Sequence, residues 1–134
     1  MRMEILISHS AEETFRIAEE YAKTLKAGDV VRLDGEMGAG KTVFAKGVAK
    51  GLGIREEVTS PTYAYMNDYG GVLYHYDCYR IDAEKAEAVG LSDYFYAKGV
   101  CLVEWAENIE ELLPLETKRV FIRKLSETQR EITL

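Results

Sequence analysis

The sequence predicts a single α/β domain with a mostly parallel central sheet, helices on both faces and antiparallel hairpins at the edges. Three observations predict it. Two short runs, VVRL at Val30 to Leu33 and VCLV at Val100 to Val103, are apolar-rich without alternation, as strands covered on both faces are. Segments with apolar residues at helical spacing flank the first of these runs. The last fifteen residues hold two short strand-like runs, Val120 to Leu125 and Glu131 to Leu134, which read as an antiparallel pair at the sheet edge. The chain has 134 residues, the usual length of one domain, so 1–134 is read as one unit.

In chain order, MEILI (Met3 to Ile7) reads as a strand. Ser10 stands three residues before Glu13, a capping-box spacing. Phe15, Ala18, Tyr21, Ala22 and Leu25 follow at helical intervals until Gly28 closes that helix. The strand at Val30 to Leu33 runs into GEMGAGKT, and Val43, Phe44, Gly47, Val48 and Leu52 mark a second helix ended by Gly53. Thr62 to Asn67 and Val72 to Arg80 are strand-like, and the intervening YGG predicts a hairpin. Alternation along the second of these puts His75, Asp77 and Tyr79 on one face and Tyr74, Tyr76 and Cys78 on the other. Gly99 to Trp105 is the next buried strand.

Composition narrows the function. Net charge is −6, and nucleic-acid phosphates require clustered Lys and Arg, so no direct nucleic-acid binding is expected. No apolar run approaches the roughly 20 residues of a membrane span, and the N-terminus lacks a signal-peptide pattern. A cytoplasmic location is expected, in which Cys78 and Cys101 would stay reduced as small buried hydrophobes.

The stretch Gly35 to Thr42 fits G-x-x-x-x-G-K-T, with a further glycine at Gly38. Strand, glycine loop and helix form the context this phosphate-binding loop demands. Glycines let the backbone approach an anion, successive N–H groups form a nest around a phosphate, and the following helix adds the positive end of its dipole. In that chemistry Lys41 bridges the β- and γ-phosphates and the Thr42 hydroxyl binds Mg²⁺. Hydrolysis further needs a carboxylate. Glu104 ends an apolar strand, at the sheet edge where ligands bind in α/β folds. Asp77 is a second candidate, near Mg²⁺ or the attacking water, and His75 reads as a hydrogen-bonded structural histidine. TSPTY, Thr59 to Tyr63, crowds three aliphatic hydroxyls around Pro61 and is either a switch sensing the γ-phosphate or a plain turn into the hairpin.

GEMGAGKT, SPTY, HYDCYR and LVEW, in this order and at these separations, resemble the bacterial YjeE/TsaE ATPase family from about Ser10 to Leu134. The resemblance implies a P-loop NTPase fold and slow ATP hydrolysis, completed by partners. It implies that Lys41 and the amides of Gly35, Glu36, Met37, Gly38, Ala39, Gly40, Thr42 and Val43 hold ATP phosphates. Thr42 and Glu104 would bind Mg²⁺, Asp77 would serve hydrolysis, Trp105 would flank the site, and Lys41, Asp77 and Glu104 would be catalytic. It also implies partners: a TsaD-like threonylcarbamoyl transferase, which modifies adenosine beside the tRNA anticodon, and its TsaB-like companion, the pair being reset by the ATPase. The family usually has Asp and Leu at Glu36 and Met37, often Thr at Val43, and commonly Pro at Ala106; none of these changes removes a residue the chemistry requires.

Other classes fit less well. A small-molecule kinase shares the loop but typically adds a basic lid, and no Arg-rich lid segment occurs. A GTPase needs N/T-K-x-D, which is absent. The adenine base is expected between Glu12 and the C-terminal strand, with Arg130 near it. Eight of the nine tyrosines lie between Tyr63 and Tyr96. Tyr is enriched both in strands and at interface hot spots, so this hairpin, with Tyr74, and the YFY segment, Tyr94 to Tyr96, are expected to form much of a partner surface.

Overall fold

A computed structural model describes residues 3–59 and 65–134. Seven strands form one mixed sheet, in the order β1-β7-β6-β2-β5-β4-β3. They are β1 (Ile5–Ser8), β2 (Val30–Asp34), β3 (Met66–Tyr69), β4 (Leu73–Asp77), β5 (Val100–Glu104), β6 (Lys118–Lys124) and β7 (Arg130–Thr133). The helices are α1 (Ala11–Ala22), α2 (Lys41–Gly51) and the short α3 (Ala83–Ala88), with 3-10 segments at Leu91–Tyr96 and Ala106–Leu112. Among the described residues no helix is long and apolar enough to cross a membrane. The chain packs as two compact units, one of Met1–Thr24, Leu33–Val58 and Arg119–Leu134, the other of Leu25–Arg32 and Thr59–Lys118.

In the first unit β1, β7 and β6 run antiparallel, with Leu6 opposite Ile132 and Ile122 opposite Ile132. The C-terminal pair therefore lies one strand in from the edge, because β1 extends the ladder beyond β7. Helix α1 begins as its residues predict: Ser10 Oγ accepts from Glu13 N–H at 3.0 Å. The Glu13 carboxylate reaches back one residue further than a capping box does, to His9 N–H at 3.3 Å. The helix stops at Ala22, with Lys23 as its C-cap, short of the Leu25–Gly28 end that periodicity suggests, and Leu25 falls in the other unit.

Helices α1 and α2 cross on small residues. A Cβ at Gly47 would stand 2.4 Å from the Phe15 carbonyl oxygen and 2.6 Å from Ala18 Cβ. One at Gly51 would stand 2.5 Å from the Glu19 oxygen and 2.6 Å from Ala22 Cβ. The two backbones thus pack closer than side chains would allow, which buries Ala18, Ala22, Val48 and Ala49 completely or nearly so.

The second unit is built on the β3–β4 hairpin, turned through Gly70 and Gly71, and on β4 running parallel to β5. Residues paired across the two parallel strands share a face. Tyr74, Tyr76, Cys101 and Val103 accordingly enter one core cluster with Phe95, Ala106 and Ile109. The Tyr76 hydroxyl donates to the Leu91 carbonyl at 2.8 Å, and its ring meets Phe95 at 5.4 Å. Tyr74 is buried against Tyr94, with centroids 4.8 Å apart. On the hairpin the expected surface is corrected: β4 is buried and uses Tyr74 and Tyr76 as core, whereas Tyr79 and, in the YFY segment, Tyr96 are exposed. Cys78 and Cys101 are buried and unbridged, and burial pushes their thiols up to about 12 and about 11.

Two predictions follow from this packing. Gly47→Ala gains about 1 kcal/mol of helix propensity but drives a methyl into the Phe15 backbone, which costs about 1–3 kcal/mol or more; the thermal midpoint should fall by several degrees in a calorimeter. Unfolded thiols ionise near 9.0, well below the folded values of about 12 and about 11. Unfolding therefore releases protons in that window. The stability is intact below about pH 9 and is lost as pH rises through the folded values, at up to about 1.4 kcal/mol per pH unit and thiol. Urea midpoints at about pH 8 and about pH 10.5 check the slope, and iodoacetamide should label neither thiol until the chain unfolds.

Candidate functional site

The root of the glycine loop is held on two sides. β2 ends at Asp34, whose buried carboxylate accepts from Arg119 Nε at 2.6 Å. Gly35 follows, pressed so closely on β6 that a Cβ would lie 2.6 Å from the Ile122 carbonyl oxygen. The loop then turns back, with Ala39 N–H donating to the Glu36 carbonyl at 3.1 Å. Its far end is Gly40, the N-cap of α2, at φ 102°, a left-handed conformation that favours glycine.

Gly40 has no side chain to cap the helix. Opening N–H groups left without a side-chain acceptor, with the helix dipole behind them, suit an anion. Lys41, the first residue of α2, is 8% exposed, whereas Thr42, Glu36 and Met37 are exposed. The donor set fits a polyphosphate: main-chain amides, an ammonium group and a hydroxyl. Glu12 and Val43 line an open groove of about 430 Å³ along α1 and α2, with Phe15, Arg16 and Lys46. Arg130 turns elsewhere, donating to the carbonyls of Ala39 at 2.9 Å and Gly38 at 3.4 Å.

In the second unit the parallel strands end side by side, Asp77 opposite Glu104. His75, two residues earlier on the same face, donates from Nε2 to Glu104 Oε2 at 2.6 Å. Both side chains are nearly buried, and His75 Nδ1 has no hydrogen-bond partner among the described residues. A buried carboxylate held by one donor is fixed in direction and keeps its second oxygen for another ligand. Asp77 accepts from Tyr79 N–H at 3.0 Å, which folds the chain sharply after β4. Backbone bonds lock the two ends: Cys78 N–H donates to the Glu104 carbonyl at 3.0 Å, and Asn108 Nδ2 to the Cys78 carbonyl at 2.8 Å.

Trp105, directly after Glu104, is the one non-glycine residue at positive φ (57°) among those described, and its ring packs on Tyr79 at 4.8 Å. A bulky side chain in this region is costly, and such strain gathers at functional sites.

The structure thus brings together the loop Gly35 to Thr42 with Arg130, Glu12 with Val43, and Asp77 with Glu104 and Trp105. Of the proposed switch, Thr59 is described and its carbonyl accepts from Asn67 and the Tyr69 hydroxyl; residues 60–64 lie outside the described residues. Sequence reasoning missed the His75–Glu104 pair, the Asp34–Arg119 pair and the Asn108 bracket. Each depends on which strands and loops are neighbours, which spacing along one chain does not encode. Alternation did put His75 on the face of Asp77, and that was the available signal.

Known proteins resemble this chain over most of its length. A family model for "Threonylcarbamoyl adenosine biosynthesis protein TsaE" matches residues 8–132. The tRNA threonylcarbamoyladenosine biosynthesis protein TsaE of Bacillus subtilis (strain 168) is 50% identical over 125 residues, covering 91% of this chain and 78% of that protein. The protein of the same name from Treponema pallidum (strain Nichols) is 42% identical over 131 residues, covering 96% and 97%. The crystal structure of Bacillus subtilis YdiB aligns with a TM-score of 0.79 at 41% identity, covering 98% of this chain and 84% of that one. The mixed α/β fold is the P-loop fold that the loop motif predicts. With a family model spanning nearly its whole length and relatives this similar, the chain belongs to the TsaE family of threonylcarbamoyl adenosine biosynthesis proteins.

Proposed function

We propose that this chain is the ATP-binding and ATP-hydrolysing component of the tRNA threonylcarbamoyladenosine machinery, with residues 1–134 working as one ATPase domain in the cytoplasm. It acts on a TsaD-like transferase and its TsaB-like companion and leaves the tRNA to them. The observation that carries the reading is the glycine-capped start of α2, with Lys41 at its first position. The names of its relatives support the pathway, and the net charge of −6 supports leaving RNA to partners.

Bound Mg·ATP supplies the phosphoryl group and the cation that neutralises its charge. The chain's own residues do the rest. Amides from Gly35 through Val43, apart from the Ala39 N–H that meets the Glu36 carbonyl, orient the phosphates, and the Lys41 ammonium stabilises charge that builds on them. Thr42 Oγ and Glu104 are assigned to the metal. Among the described residues no three His, Cys, Asp or Glu side chains form a metal cage, which suits an ion held by few protein ligands and by phosphate oxygens. His75 fixes the direction of the Glu104 carboxylate. Asp77 orients the attacking water and takes its proton. Trp105 walls the site, and Glu12 borders the groove assigned to the base. Hydrolysis is slow until partners complete the site in trans.

Calorimetry and turnover test the enzyme. Lys41→Ala should abolish the heat of Mg·ATP binding. Glu104→Ala should bind nucleotide within a few-fold of wild type and lose hydrolysis by roughly 100-fold or more. A Glu104→Ala protein that turns over normally removes the assignment. A pull-down from the cell extract with ATP and with ADP tests the partners: enrichment of a TsaD/TsaB-like pair in a nucleotide-dependent manner is expected, and its absence with both nucleotides refutes the partner role.

A further inference from the structure

We propose that Arg130 is a positioning residue that clamps the phosphate loop in its anion-binding conformation; the proposal rests on the reading of Gly35 to Thr42 as a phosphate loop. Arg130 opens β7 and is itself immobilised by pairing on both sides, opposite Ser8 of β1 and Lys124 of β6. Its guanidinium donates to main-chain carbonyls only, among the described residues. Nε reaches Ala39 O at 2.9 Å and Nη2 reaches Gly38 O at 3.4 Å. Nη1 reaches Ser126 O at 2.8 Å and Gln129 O at 3.0 Å. One side chain thus ties the β6–β7 turn to the loop.

The direction of these bonds matters. In a trans peptide the carbonyl and the next N–H point opposite ways, and no cis peptide occurs among the described residues. Drawing the Ala39 carbonyl toward Arg130 therefore aims the Gly40 N–H to the far side of the loop. Drawing the Gly38 carbonyl aims the Ala39 N–H, which meets the Glu36 carbonyl at 3.1 Å. The loop needs such a constraint because Gly38 and Gly40 bracket Ala39, and glycine has the widest choice of backbone conformations.

A planar guanidinium reaches several carbonyls at fixed angles, and an ammonium group does not. That difference separates clamping from mere positive charge near phosphate. In Arg130→Lys and Arg130→Met, Mg·ATP should bind roughly 10- to 100-fold more weakly, with kcat nearly unchanged. Amide hydrogen exchange in the ligand-free protein should quicken at Gly38 to Lys41 while β6 keeps its protection. Arg123→Met removes an equal charge from the same hairpin, where Arg123 faces Glu131 at 3.3 Å, and should leave binding and loop exchange unaltered. Wild-type affinity in Arg130→Lys, unchanged loop exchange, or exchange that rises throughout β6 and β7 would overturn the clamp. Absence of Mg·ATP binding in the wild-type protein would overturn the phosphate-loop reading itself, a separate failure.

Discussion

A loop that binds an anion through its own amides must be stiff, yet the residue that permits its shape is the least stiff of all. The first unit is organised around that contradiction. Gly35 lies against the β6 backbone where no side chain fits. Asp34, just before it, is anchored by Arg119. Beyond the loop, α2 is fixed by its crossing with α1 at Gly47 and Gly51. Each restraint comes from a neighbour distant in sequence, so the loop is ordered from outside. Fixing one residue's backbone costs about 1–2 kcal/mol of entropy; folding meets that cost before any ligand arrives.

The second unit solves a different problem, that of keeping a carboxylate directed inside an apolar layer. Burying a lone charge is expensive unless it is hydrogen-bonded. Glu104 meets the condition with a single short bond from His75. The imidazole is placed by the parallel register of β4 and β5, two residues before Asp77. The face opposite is packed by Tyr76, Phe95 and Ile109, which hold the strands level. The bracket of Asn108 on the Cys78 carbonyl and the turn at Asp77 then end both strands at one height.

Much of this was legible before any coordinates. β2 and β5 announced themselves because a strand covered on both faces needs continuous apolar residues, and the loop motif because few residue types tolerate its backbone. Helix α1 was legible at its start, where Ser10 and Glu13 act locally, and not at its end, where Leu25 falls in the other unit. Helix α3 has only 6 residues, too few to show a period. Tyr74 misled because a tyrosine at a partner surface and one in a core have the same composition; burial distinguishes them, and burial follows from pairing. Arg130 was expected beside the base, and its bonds to the loop carbonyls were not foreseen, because they depend on side-chain reach.

The strained residue after Glu104 has a practical consequence. Trp105 is the chain's sole tryptophan, and it sits on the Tyr79 ring at the end of a strand that carries a candidate metal ligand. Its indole emission therefore comes from one place, uncontaminated by any second fluorophore of its kind. The molecule carries a built-in optical gauge, whose colour and brightness register rearrangement at that strand end without a dye or a label.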